Sequence, residues 1–187
     1  MFGDHNFQNL AAAQKVWELL GKDSTDFYRA ASQFGGAAKR LEYLADRDGY
    51  TVLKDYAHSP SKVQAAVSAV RKKYNSRKLV VVCELHTYSS LNKDFIPQYK
   101  DSLQPADTAI VHYDPEAMKI KRMPELSAQD VRKAFNEPNL VITNDAESLQ
   151  MNLDKEPKEN VVILMMSSGN YGGIDLKQFG DSKSKSA

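Results

Sequence analysis

The chain has 187 residues, 42% of them hydrophobic, and 25 basic against 24 acidic side chains give a formal net charge of +1. A chain of this size buries roughly 70% of its unfolded surface, so one ordinary core needs no staple. The near balance of charge gives no electrostatic reason to expect nucleic acid or an anionic membrane as partner, and the single Cys83 excludes an intramolecular disulfide and cannot by itself make a zinc site.

Hydrophobic runs are too short for the roughly 20 apolar residues of a membrane helix. Met1-Phe2-Gly3-Asp4-His5 has neither the basic region nor the apolar run of a signal peptide, so the cytoplasm is the expected compartment.

Residues 6–20 predict a helix, with Asp4 or Asn6 as its cap, an apolar stripe through Leu10, Ala13, Val16, Trp17 and Leu20, and Gly21 as its stop. A second helix is expected over 24–33, capped by Asp23 or Ser24 and broken by Gly35-Gly36. Two helices of that size bury their own apolar faces poorly.

From about residue 41 the pattern changes. Strand-length apolar runs at 41–44, 50–54, 78–84, 108–113, 140–143 and 161–166 alternate with helical patterns at 60–74, 92–103, 127–136 and 146–153. Pro60 suits a first helical turn, Ser127 with Asp130 resembles a capping arrangement, and Pro97 delays or kinks the helix it falls in. Cys83 ends the apolar run Leu79-Val80-Val81-Val82-Cys83 and is expected to be a buried structural thiol. This alternation predicts an α/β fold, a Rossmann-like, mainly parallel sheet flanked by helices, preceded by a short helical tail. Three parts are expected: residues 1–40 as a helical remnant of a preceding unit, 41–180 as the α/β domain, and 181–187 as a flexible tail.

Ligands of open α/β sheets gather beyond the carboxyl ends of the strands. Three loops there carry functional groups. Asp55-Tyr56-Ala57-His58-Ser59-Pro60 offers a carboxylate for ribose hydroxyls and an imidazole for phosphate or carboxylate, although both side chains also suit simple helix capping. Glu84-Leu85-His86-Thr87-Tyr88-Ser89-Ser90 is dense in hydrogen-bonding groups, as a solvated loop also is. Ser167-Ser168-Gly169-Asn170-Tyr171-Gly172-Gly173 permits close backbone approach, which turn chemistry explains equally well; it is not a P-loop, because no Gly-Lys-Ser/Thr follows. His112 falls within a strand and is expected to be structural. The histidines and the cysteine have no metal-ligand spacing.

Three of these segments, read in order, carry a resemblance. Gly3-Asp4-His5-Asn6-Phe7-Gln8-Asn9 with Ala11-Ala12-Ala13 resembles a G-x-H-N-x-x-N…A-A helix start. Phe34-Gly35-Gly36-Ala37-Ala38-Lys39-Arg40-Leu41-Glu42 resembles an F-x-G-x-x-x-R-x-E junction, and Asp55–Pro60 resembles D-Y-A-H-x-P. All three belong to the Mur ligase family, and the likeness runs from residue 3 to about 174, weakest over 114–160.

The resemblance implies an ATP-dependent carboxylate–amine ligase of peptidoglycan metabolism, with residues 1–40 ending its ATP-binding central domain and 41–180 forming its carboxy-terminal domain. It implies ATP and Mg2+ as cofactors, with UDP-N-acetylmuramate and a murein tripeptide or amino acid as substrates. By the same likeness Asn6 and Asn9 contact adenine, Arg40 reaches the phosphates, Asp55 holds the ribose, and Arg40 and His58 serve the chemistry. Tyr56, His58, His86 and Tyr88 are candidates for the acceptor pocket.

Two departures matter. The family's Gly-Lys-Thr loop and central-domain ligands are absent, so the expectation is a fragment that needs the remainder of the same ligase chain and is inactive alone. Thr87 and Ser90 stand near where alanine-adding members carry arginines, which favours the longer tripeptide as acceptor. Rival readings are a non-catalytic α/β interaction module, or the corresponding domain of a folylpolyglutamate or cyanophycin-type ligase. A Rossmann oxidoreductase is disfavoured, since no G-x-G-x-x-G follows a strand.

Overall fold

A computed structural model describes residues 2–35, 37–176 and 179. The elements follow in the order α1 (Asp4–Leu19), α2 (Ser24–Gln33), β1 (Glu42–Arg47), β2 (Tyr50–Asp55), α3 (Pro60–Lys73), β3 (Lys78–Glu84), β4 (Thr108–His112), α4 (Pro115–Ile120), α5 (Ala128–Phe135), β5 (Val141–Thr143), α6 (Ala146–Asp154) and β6 (Val161–Met166). The strands form one sheet in the order β1-β2-β6-β3-β4-β5. Only the β1–β2 hairpin is antiparallel; β2, β6, β3, β4 and β5 run parallel.

The central strands are apolar because both faces are covered. Every residue of β6 is buried, and Leu79 through Val82 of β3 are fully enclosed. One side of the sheet packs against α3, α5 and the 85–103 segment, with Val63, Val67, Val70, Leu91, Tyr99 and Phe135 in its core. The other side packs against α6 and the segment after β6 through Leu149, Leu153 and Tyr171. Each such side chain taken fully out of water contributes about 1.5–3 kcal/mol. Cys83 is 1% exposed, and burial pushes its thiol pKa up to about 12, as expected of a structural cysteine.

Local chemistry places several boundaries. Gly21 turns the chain with φ +72 after α1, and Asp23 accepts the Thr25 N–H at 2.6 Å to cap α2. Ser127 and Asp130 form a reciprocal capping box at α5. Asn136 ends that helix in the left-handed conformation.

Some expectations fail. The cap of α1 is Gly3, at φ 94, with Asp4 already inside the first turn; neither Asp4 nor Asn6 caps. The helix expected over 92–103 shrinks to one 3-10 turn, Ile96–Tyr99: Pro97 has no N–H to bond back into the preceding turn, and the chain leaves the helical region at Lys100, with ψ 130, and Asp101, with φ 59. A short α4, capped by Asp114 with Pro115 at its first position, lies in a stretch for which the sequence predicts no element. Gly36 and the tail 181–187 fall outside the described residues.

α1 and α2 stand apart from this packing. Their described residues are all partly or fully exposed, including Val16 at 58%, Leu19 at 82% and Leu20 at 67%. They meet each other, and α1 also meets α3.

Candidate functional site

The junction between α2 and β1 is tied to the end of β2. Tyr56 N–H donates to the Lys39 carbonyl at 2.8 Å, and Leu41 N–H donates to Asp55 Oδ2 at 2.8 Å. Asp55 Oδ1 accepts the Ala57 N–H at 2.7 Å and so shapes the loop that follows. Leu41 is held at φ 48, a left-handed conformation, with its side chain buried. These bonds set Arg40 beside Asp55 and over the ring of Tyr56, 5.9 Å from its centroid.

The amino end of α1 reaches the same place. Gly3 packs so closely that a Cβ there would sit 3.0 Å from Ala69 of α3, and Asp4 lies 3.5 Å from Lys72. Between α1, the junction and the start of α3 opens a cleft of about 970 Å³. Its walls include Asn6, Asn9, Arg40 and Asp55, which come from three separate stretches of sequence. His5, Lys62 and Lys73 also line it.

The wall mixes apolar side chains, Phe2, Leu10 and Phe34 among them, with charged groups of both signs. Asp55 is 4% exposed, and burial raises its carboxyl pKa above the usual range, against the opposing pull of two backbone N–H bonds, Arg40 and His5. Its two oxygens accept one hydrogen bond each, which leaves roughly two acceptor positions of a carboxylate's four. Asn6 Nδ2 donates to the Phe2 carbonyl at 2.8 Å, leaving its carbonyl oxygen for another partner. Lys73 is drawn into an aromatic cluster, 4.3 Å from the Phe2 ring centre and 2.6 Å from the Tyr43 hydroxyl.

The acceptor-pocket candidates divide. Tyr56 and His58 pack edge to face at 5.1 Å between ring centres. His58 Nδ1 lies 2.8 Å from the Tyr56 carbonyl, which can only accept, so Nδ1 carries the proton. Tyr99 fixes this loop from beneath by donating to the His58 carbonyl at 2.5 Å. None of the four is among the cleft's lining residues; His86 and Tyr88 lie on the loop after β3, where Tyr88 is 63% exposed beneath Lys121. Thr87 and Ser90 bond to each other through both hydroxyls and both backbone segments, and Ser90 is buried. His112 is fully buried, with Nδ1 3.0 Å from Thr143 Oγ1, and burial lowers its pKa.

His5 and Lys62 were given no role on sequence grounds. His5 sits inside a motif read chiefly for its asparagines, and Lys62 looks like any exposed first-turn lysine until the cleft is seen. Among the described residues no group of three or more His, Cys, Asp or Glu side chains comes together as a metal site.

Comparison with known proteins matches residues 39–169 to the family described as Mur ligase, glutamate ligase domain. UDP-N-acetylmuramate–L-alanine ligase of Christiangramia forsetii is 28% identical over 172 residues, which is 91% of this chain and 36% of that protein. The enzyme of the same name from Caldicellulosiruptor bescii is 37% identical over 109 residues, 58% of this chain and 24% of its own. In structure, UDP-N-acetylmuramate-alanine ligase of Thermotoga maritima aligns with TM-score 0.72 at 19% identity, covering 98% of this chain and 38% of that one. A murein peptide ligase of Psychrobacter arcticus aligns with TM-score 0.69 at 19% identity, covering 100% and 38%. The chain thus spans well under half the length of these relatives. With more than two thirds of its residues matched to that domain, the chain belongs to the Mur ligase family.

Proposed function

We propose that this chain supplies the adenine and ribose half of the ATP site of a carboxylate–amine ligase acting in peptidoglycan synthesis or recycling. Residues 1–40 are read as the end of an ATP-binding domain, and residues 41–180 as the domain that closes over it. The observation that carries this reading is the cleft: Asn6, Asn9, Arg40 and Asp55, distant in sequence, line one cavity of nucleotide size.

Asn6 and Asn9 each offer donor and acceptor to an adenine edge, and Asp55 retains acceptor positions for ribose hydroxyls. Arg40 forks onto phosphate oxygens. His58 and Tyr56 hold the acceptor amine at the same edge of the sheet. ATP supplies the phosphoryl group that activates a muramate carboxylate. The residues here fit a nucleotide but not a magnesium ion, since Asp55 is already engaged by two backbone N–H groups and no carboxylate cluster stands beside it among the described residues. The sequence holds no Gly-Lys-Thr loop, so the phosphate grip comes from elsewhere, and this chain by itself does not ligate.

For the acceptor, the tripeptide L-Ala-γ-D-Glu-meso-diaminopimelate is favoured over alanine. Position 90 is a buried serine bonded to Thr87, so neither position supplies a cation to grip a small amino acid's carboxylate.

Calorimetric titration of the purified chain tests the nucleotide reading. Adenosine binds, ADP binds more tightly because Arg40 meets its phosphates, inorganic pyrophosphate alone does not bind, and D55A and N9A remove both nucleotide signals. A wild-type chain that ignores millimolar adenosine and ADP would sink the proposal.

A further inference from the structure

Glu84 ends β3 with its carboxylate 4% exposed, and among the described residues no lysine or arginine pairs with it. A buried carboxylate in that situation is costly unless hydrogen bonds replace its water. They come from one place. Ser167 Oγ donates to Glu84 Oε2, Tyr171 N–H donates to Oε1 at 3.1 Å, and Ser167 Oγ in turn accepts the Gly169 N–H at 2.6 Å. The loop after β6 is therefore latched to the end of β3, a strand that pairs with β6 itself in parallel.

The latch ends on a histidine. His86 Nδ1 stands 4.0 Å from Glu84 Oε1. A Cβ placed on Gly169 would fall 2.8 Å from Glu84 Oε2 and 2.8 Å from His86 Cγ, so only glycine lets the loop close against both. Sheet order sets this loop between the loop after β2, with Tyr56 and His58, and the loop after β3, with His86.

We infer that Glu84 is a positioning residue: through Ser167 and Gly169 it fixes the ring of His86 at the carboxyl edge of the sheet, so that His86 meets the amine-bearing acceptor, an inference resting on the acceptor reading above. A carboxylate suits this place because its two oxygens take two donors from one loop at once. Glutamine of the same size has a single acceptor oxygen and leaves either the Ser167 hydroxyl or the Tyr171 N–H without one. The latch's side-chain bonds do not involve the cleft's lining residues; its one tie to Asp55 is the Ser167 N–H to the Asp55 carbonyl at 3.1 Å, a backbone bond that S167A keeps.

The test uses the full 187-residue chain with E84Q, S167A and G169A. Nuclear Overhauser contacts between the His86 ring and the Gly169 α-protons read positioning directly, without any ligand. Calorimetry with the tripeptide L-Ala-γ-D-Glu-meso-diaminopimelate and with ADP reads the consequence. The expected result is loss of the His86–Gly169 contact in E84Q and S167A, with tripeptide affinity down about tenfold or more, as loss of a hydrogen bond to a charged group implies, and ADP affinity unchanged. S167A and G169A keep the test open if E84Q folds poorly. The inference is overturned if the contact persists in both E84Q and S167A, if tripeptide affinity holds in all three, or if the wild-type chain binds ADP but not tripeptide. Failure of the wild-type chain to bind ADP overturns the functional reading instead, while the His86–Gly169 contact still judges the latch.

Discussion

Asp55 Oδ2 accepts the backbone N–H of Leu41 at 2.8 Å, and this bond, between residues fourteen apart, holds a leucine in the left-handed region at φ 48. The same carboxylate faces the cleft, so a structural and a binding duty meet on one side chain. Asparagine at position 55 offers one acceptor where two N–H groups call for two. D55N is expected to lose about 1–3 kcal/mol in urea unfolding and to lose adenosine binding together with it. Retained binding in a destabilised D55N chain would separate the two duties and remove Asp55 from the nucleotide site.

His112 governs an acid response. Burial holds its pKa below the ordinary value, so the unfolded chain takes up a proton that the folded chain refuses. Below about pH 6.5 the unfolded state binds more protons, and stability falls as pH falls toward the folded value. H112N, which keeps a group able to meet Thr143, removes this contribution. Urea unfolding at pH 7 and pH 5 is expected to show a steeper decline for the wild type than for H112N. Parallel declines would mean that His112 is not buried in its neutral form.

Tyr99 stacks on Phe135 at 5.1 Å and donates its hydroxyl to the His58 carbonyl. Y99F keeps the stacking and is expected to cost about 1 kcal/mol, while F135A removes a fully buried ring and costs about 3–5 kcal/mol. Only Y99F should shift His58 ring resonances without broad loss of stability. Equal costs for the two would contradict this division.

α1 and α2 lack buried anchors, so their hydrogen bonds open more easily than those of the sheet. Amide hydrogen exchange is expected to be fast across residues 4–33 and slowest in β3 and β6. Leu19→Lys, at a position 82% exposed, changes stability by less than about 0.5 kcal/mol. Exchange in α1 as slow as in β6 would show the helices to be more firmly seated than their exposure implies.

Much of the sheet was legible because its strands are apolar on both faces: the runs at 78–84 and 161–166 coincide with β3 and β6 to the residue. Where burial is one-sided the boundaries moved. β1 extends to Arg47 because it pairs in a hairpin with β2, and its polar residues carry no strand signal. Pro97 announced a disturbance without telling that helix would give way to a single tight turn. At the candidate site the motifs singled out Asn6, Asn9, Arg40 and Asp55, yet could not tell that Asp55 would hold Leu41, nor that Glu84 would bond to the loop after β6. Those contacts depend on which strands become neighbours, and β6 lying between β2 and β3 is not written in any local pattern.

That placement has a kinetic consequence. Among the described residues β6 is the last strand of the sheet in chain order, yet it occupies the middle of the sheet, bridging the β1–β2 hairpin to β3, β4 and β5. Until residues 161–166 are synthesised, β2 and β3 each display an unpaired, apolar border toward a partner that does not yet exist. The sheet can then close only by a late, long-range insertion, the kind of step that is slow and exposed to aggregation in nascent chains. Any truncation before residue 161 should leave two unjoined halves rather than a smaller version of the same protein.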